Sequence, residues 1–126
     1  AKYPRFSVRY EEGDCGLAFI MLMKDKADAE RLTNALVAEG IPCGPTSFCC
    51  NLMEEYPIKS KAQANPNMPP FGKGCDAENR VYDPAECPRT DGLVERFVAI
   101  GIGPLYGGEE VGDIAAALDK VCSVLF

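Results

Sequence analysis

From Cys87 to its end the chain reads as helix, strand, helix, and that closing order constrains the fold more than any other feature. Pro88 suits a first helical turn, where its missing N–H costs nothing. Leu93, Val94 and Phe97 then mark one face of a short helix that only Gly92 weakens. Residues 98–102 form an apolar run of strand length. The run ends in Pro104-Leu105-Tyr106-Gly107-Gly108, after which Glu109 and Glu110 put negative charge where a helix dipole favours it. Val111, Ile114, Ala115, Leu118, Val121, Cys122 and Leu125 recur at helical spacing and predict the apolar stripe of the last helix.

The first half supplies the partners such a unit needs. Phe6-Ser7-Val8-Arg9-Tyr10 alternates as a short strand does, and Glu12-Gly13-Asp14 carries turn chemistry. Residues 15–23, CGLAFIMLM, are continuously apolar, the signature of a strand buried on both faces. The two segments read as strand–turn–strand. Over 27–39, Ala29, Leu32, Leu36 and Val37 fall on one helical face, with Asp28, Glu30, Arg31 and Asn34 on the wet side. Asp25 or Asp28 can cap this helix, and Gly40 stands where a left-handed stop is easiest for glycine. Ile41-Pro42 restarts extended chain toward Ser47-Phe48-Cys49-Cys50-Asn51-Leu52, which reads as a further strand.

Between Glu54 and Glu86 periodicity disappears. Pro57, Pro66, Pro69, Pro70 and Pro84, with Gly72 and Gly74, predict a long irregular excursion within one domain spanning 1–126. An excursion of this length reads either as a binding loop or as a disordered or partner-supported insertion.

The pattern predicts an α/β (α+β) fold, with a small, mostly antiparallel sheet of three or four strands and two or three helices on one face. The expected core is Leu17, Phe19, Ile20, Leu22, Leu32, Leu36, Ile41, Val98, Ile100, Ile114, Leu118 and Val121.

With 13 basic and 19 acidic side chains the net charge is −6, and the basic residues are scattered. That speaks against nucleic acid or an anionic membrane as partner. No run reaches transmembrane length, and the first residues lack the apolar segment of a secretory signal. A start at Ala1 in place of Met reads as a trimmed or processed end. Seven cysteines and no histidine, without a C-x₂₋₄-C pair, read as reduced thiols of a cytoplasmic protein, not as a zinc site. The lack of histidine also removes Ser-His-Asp and Cys-His chemistry. Adjacent acidic pairs such as Glu54-Glu55 and Glu109-Glu110 read as solvated or helix-terminal charge.

Three stretches together resemble the C-terminal small domain of the DegT/DnrJ/EryC1/StrS sugar aminotransferases, pyridoxal-phosphate enzymes of fold type I. They are Leu36-Val37-Ala38-Glu39-Gly40-Ile41-Pro42, then Cys87-Pro88 with the helix and strand that run to Pro104, and 109–121, EEVGDIAAALDKV. The wording is most similar to the branch acting on cyclitols and aminohydroxybenzoate-type substrates. The resemblance implies that pyridoxal phosphate and its Schiff-base lysine belong to a large domain outside these residues, so no residue of this chain is expected to be catalytic, cofactor-binding or metal-binding. It also implies that Ser47, Phe48, Asn51 and Tyr56 face substrate once a large domain is present. The segment keeps an aromatic residue but lacks the histidine many members carry there, and on the residues alone Phe48 and Leu52 read first as core residues on a strand.

Three functions follow as expectations. One is a detached small domain, inactive alone, whose parent enzyme moves an amino group to a keto sugar or cyclitol. Another is a standalone ligand- or protein-binding module that self-associates through its bared surface. A third is a small cysteine-dependent enzyme, for which no general base is in view.

Overall fold

A computed structural model describes residues 6–9, 12–13, 16–44 and 50–126. They group into two compact units, residues up to 47 together with those from 95 onward, and residues 48–94.

The first unit is built on a four-stranded antiparallel sheet. Its strands are β1 (Phe6–Arg9), β2 (Ala18–Met23), β3 (Cys43–Gly44) and β4 (Phe97–Gly101), in spatial order β1-β2-β4-β3. The centre is the β2–β4 pair, in register Phe19 to Ile100, Met21 to Val98 and Leu22 to Phe97. Hydrogen bonds from Ile102 N to Leu17 O (2.9 Å) and from Met23 N to Arg96 O (2.8 Å) continue it at both ends. The Arg96 guanidinium adds bonds to the carbonyls of Met23 and Lys24, each 3.3 Å, and so closes the end of β2.

Helix α1 (Lys26–Ala38) and the closing helix α4 (Gly108–Leu125) cover one face of this sheet. Asp25 caps α1, its side chain accepting from Asp28 N at 2.9 Å. The helix ends as its glycine implies: Gly40 adopts φ +85°, Gly40 N donates to Val37 O (3.0 Å) and Ile41 N to Leu36 O (3.0 Å). This Schellman arrangement satisfies the last carbonyls and turns Ile41 back onto the core beside Leu36.

The core joins Met21, Met23, Val98 and Ile100 of the sheet, Ala29, Leu32 and Leu36 of α1, and Val121 and Cys122 of α4. Phe19, Ile41, Ile114, Leu118 and Leu125 pack against it. Several expectations are corrected here. Strand pleating sends alternate residues to opposite faces, so Met21 and Met23 are buried while Ile20 and Leu22, on the other face, are half-buried. Leu17 precedes the strand and is 73% exposed. Asp28, expected on the wet side, is buried and accepts a hydrogen bond from Arg31 at 3.4 Å. Val111 and Ala115 of the anticipated α4 stripe are exposed, and Ala117 packs on the core instead.

Charged contacts join the two helices at the surface. Lys120 Nζ meets Glu39 Oε2 at 2.6 Å, while Arg31 donates to Leu125 O at 3.5 Å and lies 5.9 Å from the Phe126 ring centre. Exposed pairs of this kind contribute little beside the apolar core. The turn into α4 is set by Gly103, where a Cβ would meet the Tyr106 ring at 3.0 Å. At the helix start, Gly107 has no side chain to complete a capping box, so only the reciprocal bond exists, Gly107 N donating to Glu110 Oε2 at 2.7 Å.

The second unit carries α2 (Tyr56–Lys59), α3 (Pro88–Val94) and 3₁₀ turns at Leu52–Glu54 and Pro84–Glu86, with turns between them. The strand anticipated up to Leu52 is corrected at its end: Leu52 lies in a 3₁₀ turn and is 67% exposed. Residues 45–49 lie outside the described residues.

Two outcomes check this account. Leu36→Ala should cost about 2–5 kcal/mol in denaturant unfolding, whereas Val37→Ala, one residue along and 53% exposed, should fall within about 0.5 kcal/mol. Glu110 gives a pH signature, because hydrogen bonds from its own and the Gly107 backbone N–H hold its carboxyl below the ordinary 4.5. A lowered folded value gives stability that is present above the unfolded value and lost as pH falls through the folded one. Below about pH 4.5 the first turn of α4 should therefore loosen, and Glu110→Gln should remove that dependence in amide exchange of residues 107–111.

Candidate functional site

The four residues singled out as substrate-facing are placed differently by the structure. Ser47 and Phe48 lie outside the described residues. Asn51 is only 4% exposed, while Tyr56, the first residue of α2, is 74% exposed.

Asn51 is the polar centre of the second unit. Its Nδ2 donates to Pro84 O and to Asp91 Oδ1, each at 3.0 Å, and its Oδ1 accepts from Met53 N at 3.1 Å. Both amide hydrogens and the carbonyl oxygen are thus engaged inside the chain. Asn51 therefore ties the 3₁₀ turn that follows it to the turn at Pro84–Glu86 and to helix α3. Asp83 makes the matching local cap, its Oδ1 accepting from Ala85 N at 2.9 Å. Cys87 N and the Asn51 amide share one acceptor, Pro84 O. The signal for this hub was legible, because Asn51-x-x-Glu54 and Asp83-x-x-Glu86 both carry a capping residue followed three places on by glutamate.

Beside Asn51, the Cys50 thiol donates to Glu55 Oε1 at 3.0 Å. Burial pushes the thiols of Cys43 and Cys122 up, with the Asp119 charge adding to the effect at Cys122. A raised value leaves less thiolate at neutral pH, and so lowers the reactivity of these two positions.

The rest of the unit is stapled by side chains onto backbone. Gln63 donates to Met68 O (3.0 Å) and accepts from Phe71 N (3.2 Å). The Lys61 ammonium donates to Glu78 O, and Phe71 and Tyr82 meet edge to face at 6.0 Å. Gly72 is buried, and a Cβ there would lie 2.5 Å from Met68 O, so only glycine fits.

Among the described residues, no lysine has surroundings that suit a Schiff base to pyridoxal phosphate. Lys24, Lys59 and Lys73 are exposed, Lys26 pairs with Glu95 at 3.7 Å, Lys120 pairs with Glu39, and Lys61 is spent on the Glu78 carbonyl. A Schiff-base lysine needs a desolvated pocket, and none of these has one. In Gly72-Lys73-Gly74, the one segment with a superficial likeness to an anion cradle, the Gly74 amide already donates to Glu78 Oε2 at 2.7 Å. Among the described residues, no three cysteine or acidic side chains come together to hold a metal ion, and no helix is long and apolar enough to cross a membrane.

Comparison with protein-family models and with curated protein sequences gives no match for this chain.

Removing the Asn51 side chain should strand the Asp91 carboxylate and the Pro84 carbonyl. Asn51→Ala is expected to cost about 1–3 kcal/mol, read as faster amide exchange in residues 50–55 and 83–91 with the sheet and α1 unchanged. Thiol labelling gives a separate check. At pH 8 iodoacetamide should modify the half-exposed Cys75 and Cys87 well before Cys122, which should react only after denaturation.

Proposed function

We propose that this chain is a small closing domain of the kind that ends DegT/DnrJ/EryC1/StrS-type sugar aminotransferases, a cytoplasmic accessory lobe that supplies surface and not reacting groups. The observation that carries the reading is the element order of the first unit: two antiparallel strands, a helix stopped by Gly40, a short strand, then β4 and the closing helix. The three segments of the resemblance correspond to the glycine stop after α1, to α3 of the second unit with β4 of the first, and to α4. The exposed or ion-paired lysines agree with a cofactor held by a separate large domain, which would be the partner. Tyr56 would then be the exposed aromatic that reaches a keto sugar or cyclitol, and Asn51 would position its segment from behind. The acidic balance leaves nucleic acid out of this reading.

The test has two arms. The reading expects an open frame upstream of the Ala1 codon that encodes a large domain with a cofactor lysine; a stop codon followed by a separate start would overturn it. The chain alone, incubated with pyridoxal phosphate and borohydride, should yield no stoichiometric pyridoxyl-lysine. A single modified lysine in good yield would show that the cofactor site lies in these residues after all.

A second reading, a self-associating binding module, is favoured by one observation. Leu105 is 92% exposed just before α4, and along that helix Gly108 and Gly112 have open space where a Cβ would stand. Helices approach closely over such small residues. This reading expects a concentration-dependent dimer in sedimentation that Gly112→Leu abolishes, and a strict monomer at high concentration would count against it.

A further inference from the structure

We draw no further inference here: the strongest candidate, the small-residue stripe of Gly108, Gly112 and Ala116 on α4 beside the exposed Leu105 and Val111, carries nothing beyond the second reading above because nothing in the structure shows what covers it.

Discussion

The pairing of β2 with β4 is the interaction on which the first unit depends. It joins residues nearly eighty positions apart, Met21 with Val98 and Phe19 with Ile100, and it decides which side chains meet the helices. A slip of one residue would turn Ile20 and Leu22 toward α1 and α4 and expel Met21 and Met23. The two ends of the ladder are pinned at Leu17–Ile102 and at Met23–Arg96. Leu32 and Leu36 from α1, and Val121 and Cys122 from α4, have a surface to seat on only because this register is fixed.

The pairing of β3 with β4 explains how the chain accommodates a long excursion. Residues 48–94 leave after β3 and return to β4, and those two strands are direct neighbours, Cys43 opposite Ile100 and Gly44 opposite Ala99. The end of β3 and the start of β4 are thus adjacent points of one sheet. Loop closure then grows only slowly with length, about 0.6 kcal/mol for each doubling. A long insertion at this point costs the core little.

How much of this the amino-acid sequence reveals depends on whether a local pattern decides it. Asp25, Gly40 and the period of Leu32 and Leu36 are local, and α1 is legible nearly to the residue. The run CGLAFIMLM is uniformly apolar, so it announces a strand but hides its parity. Only the partner strand settles that Met21 and Met23 face the helices, while Leu17, of the same parity, is exposed because the strand begins after it. Asp28 fails for a different reason: a carboxylate predicts solvent, yet here it meets Arg31 in the first turn of the helix. Among the four candidate site residues, a polar type said nothing about direction. Asn51 points inward because Met53, Pro84 and Asp91 offer it three partners, and two of those lie more than thirty residues away.

The two units are held together by different physics. The first rests on apolar burial between a sheet and two helices, which is cooperative and non-directional. Among its described residues the second has Asn51 and Gly72 buried, and its side-chain contacts are mostly single hydrogen bonds from side chains to backbone, each contributing about 1 kcal/mol net. Segments held in this way open locally at lower free energy than a packed core does. The more easily opened unit is the one that presents Tyr56 to solvent. Chemistry needs groups fixed to within fractions of an ångström. Tyr56 stands on a segment held mostly by single hydrogen bonds, and that is the ground on which the accessory role is proposed rather than a catalytic one.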